Sequence, residues 1–188
     1  MMKITKKRVV LFLLFIFPLI CFLILSTGKN NFTKLPIISK NVLDISLLDS
    51  TKTLKDNISI VCFLGNDINE NKGGFFNLNE KIYKKFIAYN KFQIIAIYPK
   101  GKELQVQEIK KEIGAFTDMV KWNFISGSKE EIIALHSSFN STDTLSNLYS
   151  NSAFLVDKKG DLRGRINDED RSTGKLFGYN IRSVSELN

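Results

Sequence analysis

Residues 58–64, ISIVCFL, form a β-branched and almost entirely apolar run. Such a run is typical of a strand that is buried on both faces of a sheet. Gly65 ends the run, and the polar, glycine-containing residues 66–74 that follow predict a loop. The chain therefore places a polar loop directly at the end of a central strand.

Downstream of this strand, helical and strand patterns alternate. Apolar residues at helical spacing alternate with short apolar runs, which predicts helices at 77–90, 106–116 and 128–139 and strands at 92–98 and 121–125. Asn77 is the predicted N-cap of the first helix, and Ser128-x-x-Glu131 forms a capping box at the start of the third. Strands that alternate with helices need crossover connections, which favours parallel strand pairs with helices on both faces of the sheet.

Two hairpins flank this core in the prediction. Residues 152–157 and 161–166 read as strands joined by a Lys-Lys-Gly turn. Nearer the N-terminus, residues 42–48 alternate enough to suggest a strand that returns at 53–54. The predicted class is α/β, with a central mixed sheet covered by helices on both faces.

The element order resembles that of a thioredoxin-like domain, and two segments carry the resemblance further. Residues 151–160, NSAFLVDKKG, are similar to the "PTTFLIDKDG" strand and turn of membrane-tethered thioredoxin-fold proteins. Residues 126–132, SGSKEEI, resemble the "TGSxEEI" helix start of the Sco (SenC-type) group of copper chaperones and cytochrome oxidase assembly factors. The resemblance covers roughly residues 35–166 and implies a three-layer thioredoxin-like fold.

The chain departs from that group at the reactive positions. Sco-like and thioredoxin-like proteins carry a cysteine pair in the loop after the first central strand, whereas residues 65–72 here are GNDINENK. Thiol–disulfide exchange needs one thiolate that attacks and a second thiol that resolves the mixed disulfide. The position of the usual cis-proline is held by Asn151, for which we expect a trans bond. Residues 148–150 replace the region of the copper-binding histidine.

The resemblance implies a degenerate member that binds a protein partner through the altered loop and the region of residue 151. The predicted binding residues are Asn66, Asp67, Glu70 and Asn151. No catalytic residue, metal ligand or cofactor is predicted. Asp67 and Glu70 are two carboxylates in one polar loop, which is a weak signal for a hard cation.

Two other side chains are candidate reactive groups. Cys62 lies inside the predicted buried strand, where a free cysteine usually acts as a small core hydrophobe. His136 is the only histidine, and we expect it at the surface or the end of the third helix rather than on a metal.

The N-terminus predicts a membrane anchor. A basic cluster, Lys3, Lys6, Lys7 and Arg8, precedes residues 9–26, which contain no charge. As a helix these eighteen residues rise roughly 27 Å, close to the hydrocarbon thickness of a bilayer. Cleavage as a signal peptide after the small residues 26–28 is the alternative. A lipoprotein reading at Cys21 is disfavoured because Ile20 precedes it.

The predicted organisation follows from this anchor. Residues 1–8 are a cytoplasmic basic segment, 9–26 a transmembrane anchor, 27–34 a tether, 35–167 the thioredoxin-like domain and 168–188 a polar tail. Because basic residues stay on the cytoplasmic side, we expect a bacterial inner-membrane protein whose C-terminal domain faces the periplasm.

The charge of the chain argues against nucleic acid as a partner. Lysine and arginine number 27 against 19 acidic residues, for a net charge of +8, but four of the basic residues are the N-terminal cluster. The remaining 23 basic and 19 acidic residues give +4, and many of the lysines alternate with glutamate on predicted helices.

Three functional hypotheses remain. The first is a redox-inactive, membrane-anchored relative of Sco-type factors that binds a protein partner during envelope or respiratory-complex assembly. The second is a thiol oxidoreductase or peroxiredoxin-like enzyme that uses Cys62. The third is a purely structural envelope scaffold.

Overall fold

The computed structural model describes residues 6–26, 35–140 and 144–164. The chain divides into two compact units, Met1–Lys34 and Leu35–Asn188. In the first unit, helix α1 spans Lys6–Ser26 and contains Pro18. Among the described residues, no helix has the length and apolar character needed to cross a membrane. Helix α1 covers the predicted helical residues 9–26. The predicted membrane span is not found among the described residues.

The second unit is built on a six-stranded mixed sheet with the strand order β1-β6-β5-β2-β3-β4. The central strand β2 pairs in parallel with β3 and antiparallel with β5. Strand β4 is parallel to β3, and β6 is antiparallel to β5. The strands are Ile37–Ser39 (β1), Ile58–Phe63 (β2), Phe92–Pro99 (β3), Trp122–Gly127 (β4), Phe154–Val156 (β5) and Leu162–Arg163 (β6). The predicted central mixed sheet is confirmed.

Helices follow the strands as the alternation of patterns predicts. The helix after β2 is interrupted by a π-helical turn, so it reads as α2, the π turn and α3 in succession. The bounds are Lys72–Leu78 (α2), Asn79–Tyr83 (π turn), Lys84–Phe86 (α3), Glu103–Gly114 (α4) and Lys129–Ser138 (α5).

Strand β2 is buried on both faces, as its sequence predicts. Ile60 and Cys62 point to the face covered by α2, the π turn and α4. Val61 and Phe63 point to the opposite face, which is covered by α5 and residues 42–54. Because successive side chains of a strand alternate between faces, one apolar run stabilises both core layers.

The capping box of α5 forms as predicted. The Ser128 hydroxyl accepts a hydrogen bond from the Glu131 backbone N–H at 3.2 Å, and the Glu131 carboxylate accepts one from the Ser128 N–H at 2.7 Å. Each of the two side chains accepts a hydrogen bond from a backbone N–H that would have no partner within the helix. The box fixes the first residue of α5 beside the end of β4.

The prediction of a hairpin at 42–48 and 53–54 is wrong. Asp44 instead caps a 3₁₀ turn at Ile45–Leu47, because its carboxylate accepts a hydrogen bond from the Ser46 N–H at 3.0 Å. Asp44 also accepts a hydrogen bond from the Thr53 hydroxyl at 2.8 Å, which ties the second predicted strand to the turn. Local side-chain bonding has replaced strand pairing here.

Two helix boundaries also differ from the prediction. The first helix begins at Lys72 rather than after Asn77, so part of the predicted loop is helical. Helix α4 ends at Gly114, and Phe116 is exposed rather than buried on its apolar face. The C-terminal hairpin is present as β5 and β6. The end of its predicted second strand and the tail at 168–188 lie outside the described residues.

Candidate functional site

The loop after β2 meets a tight hairpin from residues 146–149. Leu64 forms an antiparallel bridge with Tyr149, and Ser146 forms one with Tyr149 across the turn. The Ser146 N–H donates to the Tyr149 carbonyl at 2.9 Å, and the Tyr149 N–H donates back at 2.8 Å. Asn147 and Leu148 both have positive φ, 50° and 61°, as a type I′ turn requires.

Gly65 lets this hairpin approach the end of β2. Its φ is +71°, and a Cβ at this position would lie 2.5 Å from the Cβ of Tyr149. A side chain at residue 65 would therefore be strained by its backbone conformation and would also collide with Tyr149. Gly65, which ends the apolar run, therefore also allows the hairpin of residues 146–149 to pack against the end of β2.

Three polar side chains, Asn66, Asp67 and Asn147, are joined where β2 ends, and we name them the Asn147 cluster. The Asn66 side-chain amide donates to the side-chain oxygen of Asn147 at 2.6 Å. The Asn147 side-chain amide donates to the Asp67 carboxylate at 2.6 Å. The backbone N–H of Asn66 donates to the Asn147 carbonyl at 3.1 Å, which adds a main-chain link. Asp67 and Asn147 are exposed, so the cluster faces solvent.

The predicted binding residues are only partly brought together. Asn66 and Asp67 belong to the cluster, whereas no hydrogen bond between described residues joins Glu70 or Asn151 to it. Glu70 is exposed. Asn151 follows Ser150, whose N–H donates to the Phe63 carbonyl at 3.4 Å. The Asn151 side-chain oxygen is buried and has no hydrogen-bond partner among the described residues.

Sequence reasoning missed Asn147 as a member of this site. Residue 147 lies about eighty positions after Asp67, and nothing in the local pattern links the two. One signal was available, since asparagine tolerates positive φ better than most residues and favours tight turns. The dipeptide Asn147-Leu148 lacks the glycine that usually marks a type I′ turn.

Cys62 is fully buried on the face of β2 that packs against α2 and α4. Its thiol contacts the Ile95 carbonyl at 3.5 Å, a weak hydrogen bond inside the sheet. Burial raises the pKa of the Cys62 thiol to about 12. The thiolate that would attack a disulfide or peroxide is therefore negligible at neutral pH in this conformation.

His136 is buried in the opposite core layer, so the expectation of a surface position is wrong, but it lies in the last turn of α5, as the helix-end expectation has it. Its ring stands edge-on to Phe63 at 5.2 Å and to Phe154 at 5.7 Å between ring centres. Residue 136 lies on the buried side of α5, together with Leu135. Within the part of the chain that the structure describes, no group of three or more His, Cys, Asp or Glu residues is placed to hold a metal ion.

The Asn147 cluster places hydrogen-bonding groups at the solvent-facing end of β2. Two amides and one carboxylate provide both donors and acceptors, which is what an extended peptide or a polar side chain needs. Amides are neither nucleophiles nor bases at neutral pH, and Asp67 is engaged by Asn147.

No protein-family model matches this sequence, and no curated protein matches it. Similar solved structures include one described as a protein disulfide isomerase from Bacteroides thetaiotaomicron, with 15% identity, a TM-score of 0.47 and coverage of 73% of this chain and 86% of that one. A SCO1/SenC family lipoprotein from Bacillus anthracis has 17% identity, a TM-score of 0.41 and coverage of 73% and 87%.

A third similar structure is the thioredoxin domain of a thiol-disulfide oxidoreductase from Bacteroides vulgatus, with 16% identity, a TM-score of 0.42 and coverage of 71% and 91%. At this level of identity and superposition, the likenesses carry no inference about the activity of this chain.

Proposed function

We propose that this chain is a thioredoxin-like protein of the bacterial envelope that binds a protein partner at the end of β2 without thiol chemistry. The observation that carries the proposal is the Asn147 cluster. Asn66 and Asp67 stand in the loop where the Sco resemblance implies cysteines, and Asn147 ties them into a polar surface.

The burial of Cys62 supports a binding role over the oxidoreductase alternative. A reactive cysteine is accessible and has a lowered pKa. The Cys62 thiol has neither property, because the sheet and two helices enclose it and raise its pKa to about 12. No other cysteine lies in the second unit.

The order of elements supports the thioredoxin-like assignment. A βαβαβα order followed by a hairpin is what the sequence resemblance implies, and the sheet combines parallel pairs with an antiparallel hairpin beside β2. Residues 151–160 extend the resemblance to membrane-tethered thioredoxin-fold proteins, and residues 126–132 extend it to Sco-type factors. We therefore place the partner among proteins of envelope or respiratory-complex assembly, with cytochrome oxidase subunits as the first candidates.

The proposed location is the inner membrane, with the second unit in the periplasm. The support is the basic cluster that precedes the uncharged residues 9–26, together with the exposed apolar side chains of α1. Basic residues stay on the cytoplasmic side of an inserted segment. Fractionation of cells that make the full chain, with protease added to intact spheroplasts, tests this location.

Affinity capture tests the proposed binding role. The full chain is recovered from solubilised bacterial membranes, and its bound proteins are compared with those of an Asn66→Ala/Asp67→Ala variant. We expect a discrete partner with the wild type and at least a tenfold loss with the variant. Glu70→Gln is the matched control, because Glu70 lies in the same loop without a hydrogen bond to the cluster in the described structure.

Other outcomes of the same experiment favour the alternatives. A partner lost on Cys62→Ala but kept by the cluster variant would favour thiol chemistry. A partner kept by both variants would favour a scaffold that uses a different surface. Stoichiometric, tight binding of copper by the purified chain would show that it has ligands outside the cluster and would contradict a binding role without metal.

A further inference from the structure

A second surface lies near the β4 edge of the sheet, where three large apolar side chains are exposed. Phe116 and Val120 are 73% and 71% exposed in the segment that joins α4 to β4, and Tyr89 is 63% exposed after α3. The two segments are held together, because the Lys121 ammonium donates to the Tyr89 carbonyl. We name this surface, with its surrounding lysines, the aromatic–lysine face.

Hydrogen bonds fix the geometry of this face. The Tyr83 hydroxyl donates to the Asp118 carbonyl at 2.8 Å and accepts from the Lys121 N–H at 3.1 Å. The buried Asn79 amide donates to the Thr117 hydroxyl at 2.9 Å. The segment that carries Phe116 and Val120 is thus anchored on both sides to the helix beneath it, and its apolar side chains are presented outward by a fixed backbone.

The charge around these side chains is positive. Residues 79–91 contain four lysines and one acidic residue, and residues 110–121 contain three lysines and two acidic residues. Together the two segments carry seven positive and three negative charges, a net of +4. The acidic members are Glu80, Glu112 and Asp118. Glu80 pairs with Lys84, and Glu112 pairs with Lys72. Lys85, Lys91 and Lys111 are exposed.

We infer that the aromatic–lysine face binds the surface of an anionic membrane. Exposed aromatic and aliphatic side chains enter the boundary between headgroups and acyl chains, while lysines around them attract anionic headgroups. Lipid is favoured over an acidic protein because Phe116 and Val120 protrude. Protruding side chains gain burial in a fluid interface without the shape complementarity that a protein partner must supply.

This inference is independent of the partner proposed for the Asn147 cluster. It concerns other residues and another ligand, and it requires only that the second unit meets a lipid surface. It also gives a role to Phe116, which lies beyond the end of α4 and is exposed.

An environment-sensitive dye tests the inference on the full chain. The dye is attached at Ala115→Cys, next to the unchanged Phe116, in a Cys21→Ala background. The protein is reconstituted in nanodiscs of phosphatidylcholine alone or of equal parts phosphatidylcholine and phosphatidylglycerol. We expect a blue shift and a several-fold gain in emission in the anionic discs only, and a loss of both in high salt.

Two variants and one control position make the result specific. Phe116→Ser/Val120→Ser and Lys85→Glu/Lys111→Glu should each abolish the response of the dye at residue 115. A dye at Leu47→Cys, an equally exposed apolar site on the 3₁₀ turn, should not respond to anionic lipid. The inference is overturned by an absent shift, by the same shift in neutral discs, or by an equal shift at residue 47. Binding of acidic proteins without a lipid response would overturn it as well.

Discussion

Gly65 lies so close to Tyr149 that no side chain fits between them, and this close approach allows the hairpin of residues 146–149 to pack on the end of β2. A Cβ at residue 65 would lie 2.5 Å from the Cβ of Tyr149 and 3.0 Å from its backbone nitrogen. The contact places Asn147 where its side chain reaches both Asn66 and Asp67. The proposed binding surface therefore depends on a position that only glycine fits.

Gly65→Ala should destabilise the fold more than the same change at another glycine with positive φ. The backbone conformation alone costs about 1–3 kcal/mol for a residue with a side chain, and the collision with Tyr149 adds to this cost. Gly101→Ala is the control, because Gly101 has a φ of +90° but open space around its Cβ position. Thermal unfolding of the full chain, followed by the fluorescence of Trp122, measures both. Equal effects at the two sites would mean that the Tyr149 contact is unimportant.

Two substitutions of Asn147, to glycine and to alanine, should distinguish its contribution to the stability of the turn from the contribution of its side chain to partner binding. Glycine accepts the positive φ of residue 147, so Asn147→Gly should cost less than about 1 kcal/mol in unfolding free energy. Alanine loses the same side-chain bonds and also strains the turn, so Asn147→Ala should cost roughly 1–2 kcal/mol more. Both variants should weaken partner capture to the same extent. Unimpaired capture by Asn147→Gly would remove Asn147 from the binding surface.

Cys62 should be unreactive in the folded protein. Because burial raises the pKa of its thiol to about 12, a maleimide should not label it in a Cys21→Ala background at neutral pH. Complete labelling should appear after denaturation. Mass spectrometry gives the extent of modification, and a Cys62→Ala sample reports non-specific reaction. Rapid native labelling would revive the oxidoreductase hypothesis.

The stability contributed by Asp157 should depend on pH. Partial burial raises the pKa of this carboxyl, but hydrogen bonds from the Asp161 N–H, Arg163 and the Lys159 N–H together lower it below its usual value of 3.8. A lowered folded-state pKa means that the ionised form stabilises the fold above the unfolded value, and that this contribution is lost as pH falls through the folded pKa.

Asp157→Asn cannot ionise, so its melting temperature should lie furthest below that of the wild type near neutral pH. The gap should close as pH falls below about 4. The melting temperature of both proteins is measured over this range. A gap that stays constant with pH would show that the carboxylate charge contributes nothing to the turn between β5 and β6.

Much of the fold follows from local pattern. The buried run at residues 58–64 predicts a central strand because both core layers need its alternate side chains, and the Ser128-x-x-Glu131 box predicts the start of α5 because its two hydrogen bonds are local. The box also lies within the segment that resembles Sco-type factors. The capping box accounts for that part of the resemblance by its role in starting a helix, which does not depend on the function of the protein.

The errors arise where apolar spacing alone does not decide the structure, either because local side-chain hydrogen bonds compete with it or because residues far apart in the chain meet only after folding. Residues 42–48 alternate like a strand, but the Asp44 carboxylate draws Ser46 and Thr53 into a capped 3₁₀ turn. Phe116 fits the apolar face of α4 by spacing, but the helix ends at Gly114. Asn66 and Asp67 were identified in the loop, whereas Asn147 was not, since only the folded chain brings it to them.

Site-specific photo-crosslinking in the cell shows whether a partner binds at the Asn147 cluster. A photoreactive amino acid replaces Asn71, which borders the Asn147 cluster, or the exposed Lys159 in the turn between β5 and β6, and the full chain is irradiated in intact bacteria. We expect a discrete protein adduct from residue 71 only, which is lost with Asn66→Ala/Asp67→Ala and unchanged by Cys62→Ala. An adduct that disappears with Cys62→Ala, or one that forms equally from residue 159, would contradict it.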